Sequence, residues 1–195
     1  MIYHVSEIFY TLQGEGFSVG TPAVFVRLAG CNLRCPFCDT EFDTFVEMTE
    51  QQICAAIDSY LPRGLVVFTG GEPLLQLDEC LLAAIHAGGH QIAVETNGTR
   101  DLPKGKEKID WVTCSPKVGA SLRLTEADEL KIVFTHVSDA PQFEQWRQEV
   151  KAHHYFLQPC ALPDGTSNQQ DVLNYVLNHP QWRLSLQTQK ILNIR

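Results

Sequence analysis

The sequence is short of positive charge. Lysine and arginine total 15 against 23 aspartates and glutamates, a net charge of −8. That excludes the broad basic face needed to wrap nucleic acid or to bind an acidic membrane. It still permits a small anionic ligand, because one or two placed arginines can hold one. No apolar run approaches the ~20 residues that a bilayer-spanning helix needs. Residues 1–10 carry Glu7 and no basic segment ahead of an apolar block, so no signal peptide is read there and a cytoplasmic setting is expected. Repeats, low-complexity tracts and linkers are missing, so residues 1–195 are expected to form a single domain. A chain of this size buries roughly 70% of its unfolded surface, yet it is short of the about 250 residues of a complete eight-unit α/β barrel. With 44% hydrophobic and 19% charged residues, disorder is excluded as well. The seven cysteines are an odd number for a disulfide framework, and three crowd into residues 31–38. In a reducing compartment, such crowding points to metal binding or redox chemistry.

Apolar, β-branched runs predict strands at residues 24–28, 65–68, 91–95, 109–113, 130–134 and 155–157, with 182–186 as a final addition. Helices are predicted at 49–61, with Thr49 as cap and Ile53, Ala56, Ile57 and Tyr60 on one face, and at 74–87, entered through Pro73 and closed by Gly88 and Gly89. Two more are expected at 140–152 and 170–177, while the connections after the third and fourth strands read as poor in helix. Strand and helix in alternation imply a mostly parallel α/β sheet, and six units in this length suggest an open, partial barrel. In such sheets the chemistry sits at the carboxyl ends of the strands.

The unusual motifs fall at those ends. Cys31, Cys35 and Cys38 form a C-x3-C-x2-C run after the first strand. Three thiolates in one loop can ligate three irons of a [4Fe-4S] cluster and leave the fourth open to a ligand. A structural zinc site is the alternative, but such sites usually take four protein ligands, and no second pair of cysteines follows. Thr69-Gly70-Gly71-Glu72-Pro73 ends the second strand, where glycines let a ligand approach the backbone; an ordinary strand-to-helix turn is the bland reading. Glu95-Thr96-Asn97-Gly98 ends the third strand, Ser115-Pro116-Lys117 the fourth and Gln158-Pro159-Cys160 the sixth. Thr11-Leu12-Gln13-Gly14-Glu15-Gly16 is a glycine-rich turn near the N-terminus, and without a following Lys-Ser/Thr it is not a phosphate loop. Cys54, Cys80 and Cys114 read as small core residues. His153 and His154 read as a surface pair, and Phe143, Trp146 and Val150 as a core stripe.

The cysteine run, with Phe37 at the aromatic position, resembles the cluster motif of the radical S-adenosylmethionine (SAM) superfamily, and Thr69 to Pro73 resembles that superfamily's GGE motif. The resemblance implies an abridged (β/α)6 barrel, a [4Fe-4S] cluster on Cys31, Cys35 and Cys38, and a SAM amino group received by the Gly-Gly-Glu backbone and carboxylate. Taken with Arg27, Asp39, Thr40, Ser115 to Lys117 and the ending Arg183-Leu-Ser-Leu-Gln-Thr188, the Thr11 to Gly16 segment is similar to the 7-carboxy-7-deazaguanine synthase family over nearly the whole chain. That resemblance implies conversion of 6-carboxy-5,6,7,8-tetrahydropterin to 7-carboxy-7-deazaguanine with loss of ammonia, on a route to 7-deazapurines such as queuosine. A deoxyadenosyl radical is expected to take hydrogen from C6 of the pterin before the ring contracts.

By the same resemblance Phe37, Asp39, Gly71, Glu95, Ser115, Pro116, Lys117, Gln158, Pro159 and Cys160 serve SAM. Leu12, Gln13, Gly14, Arg27, Thr69 and Arg195 serve the substrate, and Thr40 serves Mg²⁺. A homodimer and an electron donor such as flavodoxin are implied too. Gln189 stands where the family has histidine, and Arg195 is an unusually bulky final residue. Two other readings share part of the pattern. A glycyl-radical activating enzyme has the cysteine run and GGE but not the Thr11 to Gly16 segment. A zinc or iron-sulfur module would bind metal without catalysis.

Overall fold

Alternation of apolar and polar residues decides which way each strand faces, and the computed structural model shows both faces in use. It describes residues 1–38, 40–161 and 166–195. Among these, nine strands form one sheet. The central six are β2 (Pro22–Leu28), β4 (Leu65–Gly70), β5 (Gln91–Thr96), β6 (Trp111–Cys114), β7 (Glu129–Phe134) and β8 (His154–Pro159), all parallel. They are the open, partial (β/α)6 barrel expected from the sequence. β9 (Arg183–Leu184) adds a short parallel edge beside β8. The opposite edge is antiparallel and was not foreseen: β1 (Ile2–Leu12) pairs with β2 and with β3 (Val46–Thr49).

The outer face of the sheet is apolar and carries the core. Val24, Val26, Phe68, Val94, Leu130, Ile132 and Leu157 pack there against helices α1 (Glu50–Tyr60), α2 (Glu79–Ala87), α3 (Ala140–Glu149) and α4 (Gln169–Asn178). The inner face presents Arg27, Thr69, Glu95, Thr113, Glu129, Lys131 and Gln158 in the alternate register. Burying that many polar groups is costly unless each finds a partner, so the interior is built as a binding chamber.

Helix α1 begins as read: Thr49 Oγ1 accepts from Gln52 N, and Gln52 Oε1 accepts from Thr49 N, a reciprocal cap. Tyr60, expected on its buried face, is exposed and reaches only the Ile8 carbonyl. Helix α2 starts later than expected. Pro73 opens a single tight turn, Pro73–Leu75, and Asp78 then caps α2 by accepting from Leu81 N. Gln76 in the gap is occupied elsewhere, donating to the carbonyls of His4 and Ala29. The connections after β5 and β6 lack helix among the described residues, as read. Phe143, Trp146 and Val150 are core, and Cys114 is fully buried, but Cys80 is exposed on α2. A short helix α5 (Thr188–Leu192), absent from the sequence reading, follows β9.

Because β1 runs against β2, its end lies at the amino ends of the parallel strands, with Leu12 opposite Pro22. The segment after it crosses beneath the chamber. Phe17 stacks on Trp111 and His154, the first residues of β6 and β8, with ring centroids 5.0 and 4.3 Å away. The glycine-rich turn is therefore the floor of the half-barrel, and the cysteine loop after β2 lies at its opposite, open end. No helix of the described residues is long and apolar enough to cross a membrane.

Candidate active site

A cavity of about 450 Å³ fills the chamber, within the usual range for a small-molecule site. Its wall collects the segments that the sequence singled out: the three cysteines with Phe37 and Thr40, Leu12 to Gly14, Arg27, Thr69, Gly71, Glu95, Ser115, Lys117, Gln158 to Cys160 and Arg195. Pro116 is buried beside this wall without forming part of it. Asp39 lies outside the described residues.

The cysteine loop is held at both ends. Gly30 N donates to the Phe42 carbonyl, and Arg34 bonds both carboxylate oxygens of Asp43 at 3.1 and 2.9 Å while lying over the Phe42 ring. Cys31 and Cys35 are half-buried and Cys38 is exposed. Burial pushes the Cys31 and Cys35 thiols up, and nearby Lys117 opposes that shift for both. Lys117 is half-buried, and desolvation lowers its pKa; its Nζ donates to the carbonyl and hydroxyl of Ser115. One N–H remains for an incoming anion.

Gly71 brings the glycine loop against the cysteine loop: a Cβ there would lie 1.9 Å from the Gly30 carbonyl oxygen and 3.0 Å from Cys31 Cβ. Glu72, whose carboxylate the resemblance implies for the SAM amino group, stands behind the wall. It is fully buried, off the cavity wall, and its carboxylate accepts from Leu74 N, Thr96 Oγ1 and Asn97 N. Burial raises its pKa against those bonds. It ties the ends of β4 and β5 together.

On the floor, Gln13 Nε2 donates to Glu95 Oε1 at 2.9 Å, and Gln13 Oε1 accepts from Glu15 N. Glu95 Oε2 and Glu15 Oε2 both accept from Lys131 Nζ, at 2.9 and 2.7 Å. Glu15 is desolvated, which favours the neutral acid, but Lys131 and the amides of Gln187 and Gln189 overcome that and hold its pKa down at about 2. Burial alone would lower the Lys131 pKa; its carboxylate neighbours raise it instead. At the other side of the chamber Glu7, directly opposite Arg27 in the β1–β2 register, accepts from Arg27 Nε at 2.7 Å and from Arg195. Both guanidinium groups lie over the Phe9 ring, at 5.5 and 5.0 Å. Arg27 Nη1 also reaches Thr40 Oγ1 at 3.4 Å.

Glu15, Lys131 and Gln187 were not singled out from the sequence as site residues. The available signal for Lys131 was a lysine inside an otherwise apolar strand, at an inward register position. Gln189 finds a definite place: it donates to Glu15 and packs against Gly14, where a Cβ would sit 2.9 Å from Gln189 N.

The donor set matches the cofactors the resemblance implies. The loop after β2 supplies three cysteines to the cavity wall. A zinc ion would draw its sulfurs in around one point at about 2.3 Å, whereas a cubane cluster takes each thiolate on a separate iron. Ser115, Lys117 and the Gly71 backbone suit an amino-acid head group, and Glu95 keeps acceptor capacity for hydroxyls. Thr40 offers a single neutral oxygen. That suits Mg²⁺, which retains several waters and takes few protein ligands.

Residues 25–120 match the model of the radical SAM superfamily. The chain is 47% identical to the 7-carboxy-7-deazaguanine synthase of Bacteroides thetaiotaomicron, over all of both sequences. It is 44% identical to that of Caulobacter vibrioides, again with both chains fully covered. Among solved structures, QueE from Escherichia coli superposes with a TM-score of 0.78 at 27% identity, over 96% of this chain and 94% of that one.

Proposed function

The chain belongs to the 7-carboxy-7-deazaguanine synthase family of radical SAM enzymes, and from that premise we propose the role of each part of the chamber. The reaction is the ring contraction of 6-carboxy-5,6,7,8-tetrahydropterin to 7-carboxy-7-deazaguanine with release of ammonia. The observation that carries this reading is the single cavity onto which the cysteine loop, the Gly71 turn, the Leu12 to Gly14 floor and Arg27 all open. Cys31, Cys35 and Cys38 would hold a [4Fe-4S] cluster, and Thr40 would hold Mg²⁺ together with substrate oxygens. Bound together, the cluster and SAM supply a 5′-deoxyadenosyl radical for hydrogen abstraction.

The chain's own residues bind, orient and exclude. Lys117 and Ser115 receive the SAM carboxylate, Gly71 presents backbone, and Glu95 accepts from the ribose hydroxyls; Phe37 and residues 158–160 complete that half of the wall, with Pro116 behind it. Arg27, with its planar fork, holds the pterin carboxylate. It is preset for that task, because Glu7 and Phe9 fix its guanidinium. Gln13, Thr69 and the backbone of Leu12 and Gly14 grip the ring edge, with Arg195 beside Thr11 and Glu7. The Phe17 floor and the α5 segment exclude water, which protects a reactive radical from quenching.

Residues 1–195 act as one domain, supported by a single sheet running from Ile2 to Leu184. A homodimer and a flavodoxin-type electron donor follow by kinship. Cys31, Cys35, Cys38, Cys54, Cys80 and Cys114 are free thiols, which suits the reducing cytoplasm. The test is turnover: anaerobically reconstituted protein, reduced and given SAM, Mg²⁺ and the carboxylated tetrahydropterin, should yield the deazapurine by mass. SAM cleavage without that product, but with glycyl-radical formation on a protein substrate, would favour an activating enzyme instead.

A further inference from the structure

We propose that Lys131 is a positioning residue that couples the SAM half of the chamber to the substrate half. It does not line the cavity, and its side chain is only 4% exposed. Its ammonium nonetheless grips two residues that do line it. The proposed function gives Glu95, at the edge of the floor, to SAM and the Glu15 segment to the substrate, and both carboxylates accept from the same Nζ. A closed ring results: Lys131 to Glu95, Glu95 to the Gln13 amide, Gln13 Oε1 to Glu15 N, and Glu15 back to Lys131. Glu15 extends the ring to the C-terminal segment through Gln187 and Gln189.

One cation shared between two carboxylates cannot tighten on one without altering the other. A ligand that orders Glu95 therefore orders Glu15, and by linkage the reverse holds. The inference rests on the proposed function, since it assigns Glu95 to SAM and the floor to the pterin.

The experiment measures binding of SAM and of the carboxylated tetrahydropterin to cluster-loaded protein, each with and without the other, under argon. The native protein should show mutual tightening of about fivefold or more. In Lys131→Met the tightening should fall to about onefold, with the cluster absorbance retained. Lys131→Arg, which keeps the charge, should recover most of it. Glu129→Gln should leave it unchanged, because Glu129 faces Lys131 from the same strand without joining the ring. If Lys131→Met fails to fold, the double variant Glu15→Gln, Lys131→Met removes the charge imbalance and is read the same way. Undiminished coupling in a folded, cluster-loaded Lys131→Met or double variant overturns the proposal, as does a lower melting temperature with coupling intact, which marks a purely structural lysine. Native protein that turns over the pterin without mutual tightening also overturns it. Native protein that binds no pterin at all sinks the proposed function as well.

Discussion

Replacing Gly71 with alanine adds one methyl group where two loops touch, and the consequence can be worked out atom by atom. The new Cβ would lie 1.9 Å from the Gly30 carbonyl oxygen and 2.5 Å from its carbon. Both are backbone atoms, so no flexible side chain can swing aside. Bringing the oxygen out to about 3.0 Å requires a shift of at least about 1.1 Å between the loops. That shift breaks the bond from Glu72 N to the Gly30 carbonyl and pushes on Cys31, whose Cβ is 3.0 Å from the added methyl. Overpacking of this kind costs about 1–3 kcal/mol, and the lost hydrogen bond adds about 1 kcal/mol. For a chain of this length that lowers the melting temperature by roughly 4–16 °C. The larger effect falls on the cluster, since metal–ligand distances tolerate only about 0.2 Å. Anaerobic reconstitution followed by iron and sulfide analysis should find the variant clearly under-loaded, with SAM binding weakened in the fraction that does load. Native iron content together with native SAM affinity would refute the close approach of the two loops as the reason for glycine here.

Three further outcomes follow from other parts of the chamber. Burial, aided by Glu95 and Glu15, raises the Glu129 carboxyl to about 6 despite Lys131 and the Phe17 N–H. A raised acid costs stability as pH climbs from about 4.5 through 6, so Glu129→Gln should gain on the native protein over that window, by roughly 2 kcal/mol at pH 7.5 and by nothing below about pH 4.5; urea unfolding at both ends checks the sign, and a deficit that grows with pH contradicts it. Arg27→Lys should raise the KM for the pterin about 10- to 100-fold, from the loss of a forked, charge-assisted contact, with the cluster spectrum unchanged; steady-state kinetics with an unaltered KM would remove Arg27 from substrate binding. Cys38→Ala should abolish SAM cleavage and the brown colour, and retained cleavage would defeat the cluster assignment.

Much of the parallel sheet was legible because apolar, β-branched runs mark strands buried on their outer face, as at Val66 to Phe68. The site was legible where residue type and spacing carry chemistry by themselves, as with Cys31, Cys35 and Cys38. The misses have physical causes. β1 mixes polar and apolar residues, because it is only partly buried and beyond Val5 pairs with β2 alone. The start of α2 turned on a contest between Pro73 and Asp78, and the aspartate's cap bond decided it. Helix α5 is five residues long and has no side-chain cap, so local signals are weak. Glu72 reads as a ligand contact from its motif, yet its three bonds are made to groups 2 to 25 residues away and show only in the fold. Lys131 meets Glu15 and Glu95 across 116 and 36 residues, and no local pattern encodes such a meeting.

The account stands on an iron that the protein leaves free for SAM. The most direct measurement is electron–nuclear double resonance on the reduced, reconstituted protein, with SAM labelled with carbon-13 and nitrogen-15 at its carboxylate and amino groups. Clear hyperfine coupling of both labels to the cluster is the expected result, and it should vanish in the Cys38→Ala variant. A cluster that assembles fully and shows no coupling to either label would mean that protein donors occupy every iron, and the account would be wrong.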